Sequence, residues 1–151
     1  MKKLKLKRYT LYNVQRQLKA VPPRFVPSTE EIIVTATKII PVLEVEVKVF
    51  VDIMDERNLV AKKLMNKKIN QEEANKLARK LSVEWDKYQS KHGDDIVEVK
   101  LEDESFKFLY EQFQRQDKEL GNNDVWGRSW AETPMEYVEL DEAFKLAEEG
   151  K

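Results

Sequence analysis

The chain has 151 residues with no cysteine, one histidine and a net charge of −1, a length that predicts one domain. The absence of cysteine excludes disulfides, thiolate nucleophiles and thiolate-bound metals within this sequence. The total charge conceals a polarised distribution, because residues 1–27 carry eight cations and no anions, whereas residues 94–151 carry 17 acidic and seven basic side chains. We therefore expect the two ends to attract different partners, or each other.

The N-terminus is basic but is not followed by the apolar core of a signal peptide. No apolar run approaches the roughly 18 residues that a membrane-spanning helix needs. These features predict a soluble, unprocessed intracellular protein that forms a single domain over residues 1–151.

Leucine and lysine alternate over residues 3–7, which predicts a short strand with one buried face. Thr10 is the predicted N-cap of a helix over residues 11–20. Its inner face would consist of Leu11, Val14 and Leu18. Three prolines in residues 21–27 then predict an extended connector. Ser28 and Glu31 form a capping box, so a second helix is expected to begin there.

Residues 42–54 fit both a strand and a helix, and the choice decides the architecture. Alternating β-branched residues favour a strand, and two strands broken at Pro41 are the alternative. We favour one long helix over residues 28–65, because no Gly or Asn supplies a turn between Ser28 and Arg57 and one strand of that length would be exceptional. Pro41 would kink this helix. Its core stripe would consist of Ile32, Ala36, Ile39, Leu43, Val47, Phe50, Met54, Ala61 and Met65. A second apolar side would consist of Val34, Val42, Val45, Val49 and Ile53.

Asn70 begins another capping motif, and the following residues form one apolar stripe as far as Tyr88. This helix would end at Gly93 and pack antiparallel to the long helix as a hairpin. Residues 96–101 alternate as a half-buried strand, and the next helix would bury Phe106, Leu109, Tyr110 and Phe113. Residues 137–140 would form a last short strand, followed by a terminal helix with Ala143, Phe144 and Ala147.

These elements predict an α+β fold that is mostly helical. In it, a long kinked helix and its antiparallel partner helix pack on a small sheet of two or three strands. A Pro-rich connector at residues 21–27 and a tryptophan-containing loop at residues 121–134 interrupt the regular elements.

No catalytic, metal or cofactor motif emerges, so the sequence predicts a protein that is not an enzyme. Residues 90–95 place the hydroxyl of Ser90 and the imidazole of His92 close to the carboxylates of Asp94 and Asp95, but they lie at a helix end where His, Gly and Asp are common. The acidic turns at residues 94–95 and 102–104 match no calcium-loop spacing. We expect solvated turns there.

The N-terminal segment is the candidate for nucleic-acid binding, with cations for phosphates and tyrosines for base stacking. The phosphate-binding residues would be Lys3, Lys5, Lys7, Arg8 and Arg16. The alternative is that the lysines keep an edge strand soluble. A second group of cations at the hairpin tip would extend the patch or form a solvated face: Lys62, Lys63, Lys67, Lys68, Lys76, Arg79 and Lys80.

Trp126, Arg128 and Trp130 are the candidate partner-binding residues, because Trp and Arg are enriched at interface hot spots and loops often carry function. The alternative is that both tryptophans cover the core of the domain.

The order of features resembles small uncharacterised proteins encoded by tailed phages and prophages of low-GC Gram-positive bacteria. The pattern spans residues 1–115 and includes the runs at residues 52–58, 96–101 and 106–109. The resemblance implies an accessory protein that binds a host or viral protein, or nucleic acid. It implies a place in the host cytoplasm or in the virion. We therefore expect a non-enzymatic protein-binding function, with homo-oligomerisation along the second apolar side of the long helix as one form of it.

Overall fold

The computed structural model describes residues 1–19, 29–118 and 133–150, and the side chains of residues 1–19, 34–114 and 133–150. Five helices and two strands lie in these ranges, which confirms a mostly helical α+β fold. In chain order they are β1 (Lys2–Lys7), α1 (Arg8–Leu18), α2 (Thr29–Met65), α3 (Gln71–His92), β2 (Ile96–Leu101), α4 (Asp103–Lys118) and α5 (Pro134–Glu148).

The sheet consists of β1 and β2, which pair antiparallel with Lys2 opposite Leu101 and Lys7 opposite Ile96. Both strands alternate as predicted. Their apolar side chains are buried on one face, namely those of Leu4, Leu6, Val97, Val99 and Leu101. The core lies between this face and helices α1, α2, α4 and α5.

Helix α1 begins at Arg8, so the prediction that Thr10 caps a helix starting at residue 11 is wrong. The first free amides of the helix find acceptors elsewhere in the fold. The Arg8 amide donates to the carbonyl of Asp95 at 2.8 Å, and the Tyr9 amide donates to that of Gly93 at 3.0 Å. Because the turn before β2 supplies these acceptors, α1 needs no side-chain cap.

Helix α2 resolves the ambiguity of residues 42–54 in favour of the helix, and the two-strand alternative is wrong. It runs through Pro41, which has no amide hydrogen to donate to the carbonyl of Thr37. The core stripe is confirmed over its middle part, where the buried residues are Ala36, Ile39, Leu43, Val47 and Phe50. The predicted stripe also included Ala61 and Met65, but both are exposed because the helix extends past the core.

Helices α2 and α3 form the predicted hairpin. The Asn70 side chain caps α3 by accepting a hydrogen bond from the Glu73 amide at 2.8 Å. The helix ends at His92, before Gly93, as expected. Within α3, Ala74 is buried, whereas Leu77 is 40% exposed. The part of the hairpin between Trp85 and the tip packs on itself rather than on the core.

The predicted strand at residues 137–140 is wrong, because these residues lie in α5. Thr133 caps this helix by accepting from the Glu136 amide at 3.2 Å, and Pro134 occupies its first turn, where its missing amide hydrogen costs nothing. The sheet therefore has two strands within the described residues.

Helix α4 buries Phe106, Leu109 and Phe113 as predicted, while Tyr110 is half-buried. Phe144 of α5 stacks on the rings of Tyr110 and Phe113, each at a centroid distance of 5.2 Å. The predicted connector at residues 21–27 lies outside the described residues, as does the tryptophan loop up to residue 132.

Candidate binding surfaces

The five cations predicted to bind nucleic acid do not share one surface. Lys3, Lys5 and Lys7 lie on the exposed face of the sheet, where Lys5 is opposite Glu98. Arg16 lies on α1 and lines a cleft between helices. Only the three lysines therefore form a common face.

Arg8 has a structural role. Its Nε donates to the carbonyl of Glu46 in α2 at 2.9 Å, and one terminal nitrogen donates to the carbonyl of His92 and to the carboxylate of Asp95, each at 3.0 Å. Its side chain is only 17% exposed. Arg8 thus ties α1 to α2 and to the turn before β2, and these bonds occupy the guanidinium that was predicted to bind phosphate.

His92 and Asp95 are paired in this same turn, with Nδ1 of His92 and a carboxylate oxygen of Asp95 3.0 Å apart. The hydrogen bonds from His92 and Arg8 lower the pKa of the Asp95 carboxyl. The His92 ring also packs against Tyr88. This geometry closes the turn between α3 and β2.

The described residues contain no group of three His, Asp or Glu side chains placed to hold a metal ion. Nor does any helix in the described ranges combine the length and apolar character that crossing a membrane requires.

A cleft of about 310 Å³ opens between α1, α2 and α3. Aromatic side chains form much of its wall: Tyr9, Tyr12 and Trp85. The Tyr12 and Trp85 rings meet edge to face at 5.3 Å, and both pack on the buried Phe50. Burial raises the pKa of the Tyr12 phenol, so this hydroxyl stays neutral. The cleft therefore offers rigid aromatic surfaces.

Charged groups line the same cleft. Arg16 and Arg57 enter from α1 and α2, and Asp86 enters from α3. A shallower cleft of about 150 Å³ continues along α1 past Tyr12 and Arg16 to Gln15. The two clefts share the lining residues Tyr12, Arg16 and Met54, and we refer to them together as the groove beside α1.

Two buried amides lie in the walls of this groove. Asn13 is 1% exposed and lines the larger cleft, and Gln15 is equally buried and lines the smaller one. Neither the nitrogen nor the oxygen of either side-chain amide has a hydrogen-bond partner. A buried polar group without a partner costs about 1–3 kcal/mol, so these amides are unusual in a core.

The hairpin beyond the cleft, residues 57–80, is here called the basic arm. It carries eight cations and two acidic residues. None of its cations makes an ion pair within the part of the chain that the structure describes. Its cations are exposed, and Arg57 lies where the arm meets the cleft.

The outer face of α2 carries exposed valines opposite its buried stripe. Val45 is 73% exposed, and the others are 41–50% exposed: Val34, Val42 and Val49. We call these four residues the valine stripe. Val42 also lines a groove of about 370 Å³ between α2 and the β2–α4 turn. The predicted second apolar side thus faces solvent, although its fifth member, Ile53, is half-buried and lines the cleft instead.

Trp126, Arg128 and Trp130 lie outside the described residues, so their partner-binding role stays a prediction. Comparisons with protein-family models, curated proteins and solved structures find no match to this chain.

The sequence reasoning identified the valine stripe but missed the cleft. The cleft needs residues from three helices, and their approach depends on how α1 docks on the hairpin. One signal was present: Asn13 and Gln15 flank Val14, which belongs to the predicted inner face of this short helix.

Proposed function

We propose that the protein is non-enzymatic and acts by binding protein chains, and that the valine stripe is its contact surface. The single observation that carries the proposal is this row of exposed valines on a helix whose opposite face is buried from Ala36 to Phe50. Isolated exposed apolar residues are common, but a row along one helix is typical of a docking face.

The occupant we propose is a second copy of the chain, with the two α2 helices antiparallel across a two-fold axis near Val45. In this arrangement Val42 of each helix meets Val49 of the other, because they lie three residues before and four residues after Val45. The same axis places Lys38 opposite Asp52, each seven residues from Val45. Lys38, Val45 and Asp52 fall within about 40° of arc on the helix.

Charge complementarity therefore favours the antiparallel pair. A two-fold interface must be complementary to itself, and this one pairs apolar with apolar groups at the centre and cation with anion on either side. Asp52 already has an intrahelical contact with Lys48 at 3.2 Å, and Lys38 would approach the same exposed carboxylate. A single helix face is a small interface, so we expect a dissociation constant on the order of micromolar.

The broader setting follows the resemblance given above. We propose a phage or prophage accessory protein that works in the cytoplasm of the host, with the virion as the other possible setting. Host or viral partners would bind the dimer through the tryptophan loop.

Sedimentation velocity over a range of micromolar concentrations tests the proposal. We expect the wild-type protein to shift from monomer to dimer and the Val45→Glu variant to stay monomeric. Val83→Glu is the matched control, because Val83 is an exposed valine too but lies on α3. A wild-type chain that remains monomeric throughout, or a Val45→Glu variant that dimerises as well as wild type, overturns the proposal.

A further inference from the structure

We propose that the cleft between α1, α2 and α3 binds one unpaired nucleotide, and that the basic arm binds neighbouring phosphates of a single-stranded nucleic acid. This activity is separate from the protein contact proposed for the valine stripe, which lies on another face of α2.

The aromatic walls carry the first part of the argument. Every base has a π-face that can stack on an aromatic side chain. Tyr9 and Trp85 are half-buried and present such surfaces, and contacts with Phe50 and with the buried Tyr12 hold them in place. The volume of about 310 Å³ lies at the lower end of the range for small-molecule sites, which suits one nucleotide unit.

The buried amide of Asn13 carries the second part. It offers one donor group and one acceptor, and both are without a partner. An Asn amide pairs in two places with the edge of adenine, to which it donates one hydrogen bond and from which it accepts another. Each of these two atoms exposes less than 1 Å², so the Asn13 side chain must turn towards the cleft to pair with a base. That pairing would satisfy a group that the chain otherwise leaves buried and unpaired.

The charges at the cleft complete the match. Arg57 lies at the cleft rim with no ion pair in the described part of the chain, and guanidinium groups bind phosphate oxygens well. Asp86 lines the same space, and a carboxylate there can accept hydrogen bonds from sugar hydroxyls. One nucleotide thus offers partners to Asn13, Arg57 and Asp86.

The basic arm favours a polynucleotide over a free mononucleotide. Beyond Arg57 it presents exposed lysines on both helices of the hairpin, including Lys62, Lys63 and Lys76. A mononucleotide in the cleft would leave these cations unused, whereas a strand leaving the cleft would pass them.

The test uses fluorescence anisotropy of a labelled single-stranded oligoriboadenylate, whose 2′-hydroxyls are free, at low salt with the full chain. We expect binding that weakens about tenfold in Arg57→Ala and is unchanged in the control Lys107→Ala, which removes an exposed lysine from α4. We expect the triple variant Lys62→Ala, Lys63→Ala, Lys76→Ala to reduce the log-log salt slope by about 2, because each single-strand phosphate contact contributes about 0.7.

Two further measurements test whether the ligand is a strand or a free mononucleotide, and whether Asn13 contacts it. Adenosine 5′-monophosphate should compete for the cleft but bind more weakly than the oligonucleotide. Asn13→Leu should weaken binding while raising the melting temperature, because it removes an unpaired buried amide. No anisotropy change at low salt, or wild-type affinity in Arg57→Ala, overturns the site. Equal affinity for the mononucleotide and the oligonucleotide overturns the role of the arm.

Discussion

The carboxylate of Glu139 in α5 accepts a hydrogen bond from the backbone amide of Lys7, at 2.9 Å, across 132 residues of sequence. Its second oxygen accepts from the hydroxyl of Thr10 at 3.0 Å. Glu139 thus places a negative charge at the start of α1, where the helix dipole favours it. These two hydrogen bonds connect α5 to the end of β1 and to α1. They also place a carboxylate beside the first turn of α1, which contains no acidic residue of its own.

Replacing Glu139 by Ala should therefore destabilise the whole fold. We expect the free energy of unfolding to fall by about 1–3 kcal/mol, because the Lys7 amide and the Thr10 hydroxyl lose their acceptor. Urea unfolding measures the change. Glu142→Ala is the control, since Glu142 is exposed on the same helix and should change stability by less than about 0.5 kcal/mol. Equal effects of the two substitutions would contradict the role of Glu139.

The Asp95 turn should give the fold a component of acid sensitivity. The folded-state pKa of Asp95 lies below its ordinary value, because His92 and Arg8 donate hydrogen bonds to the carboxylate. The stabilisation is therefore complete above the unfolded pKa of about 3.9 and is lost as the pH falls through the lower folded value. The free energies of unfolding of the wild type and of Asp95→Asn should differ at neutral pH and converge in strong acid. A difference that is constant with pH would argue against this assignment.

Leu43 and Val45 lie two residues apart on opposite faces of α2, so truncating them should change the free energy of unfolding by different amounts. Leu43 is fully buried, so Leu43→Ala should cost about 2–5 kcal/mol of unfolding free energy. Val45 is largely exposed, and in dilute protein Val45→Ala should change stability by less than about 0.5 kcal/mol. Thermal or urea unfolding of both variants checks the pair. A large loss in Val45→Ala at dilution would mean that the valine stripe packs within the monomer.

Removing the proline from α2 should stabilise the protein. Pro41 is exposed, and in a helix interior proline is about 3 kcal/mol less favourable than alanine. Part of this gain is offset because proline also restricts the unfolded chain. We expect Pro41→Ala to raise the unfolding free energy by about 1–2 kcal/mol, measured by urea unfolding. No gain, or a loss, would show that the local shape set by Pro41 improves the packing of α2.

The sequence predicted those parts of the fold that depend on local periodicity. The alternation in β1 and β2, the caps of α3 and the stripe of α2 are all readable within one element. The predictions that are wrong concern features that the local pattern alone does not determine. Helix α1 starts at Arg8 because Gly93 and Asp95 supply acceptors from the other end of a hairpin. Within residues 137–140, the apolar Val138 and Leu140 flank Glu139 as they would in a strand, but these residues lie in α5, which begins at Pro134 after its N-cap Thr133.

The same distinction applies to the candidate sites. The valine stripe is a property of one helix, and the sequence revealed it. Arg8 looked like one more cation of a basic segment, but burial against Glu46, His92 and Asp95 gives it a structural role. The cleft joins Asn13, Arg57 and Trp85 from three helices, and no spacing in the sequence brings such residues together.

Disulfide cross-linking at Val45 tests the central claim, that α2 contacts protein through its outer face, most directly. The chain has no cysteine, so Val45→Cys introduces a single thiol next to the proposed two-fold axis. The control Lys62→Cys is also exposed on α2 but lies far from that axis. Under mild oxidation, at protein concentrations above the dissociation constant, we expect Val45→Cys to form covalent dimers rapidly and Lys62→Cys to do so slowly. Equal rates for the two variants would contradict the account.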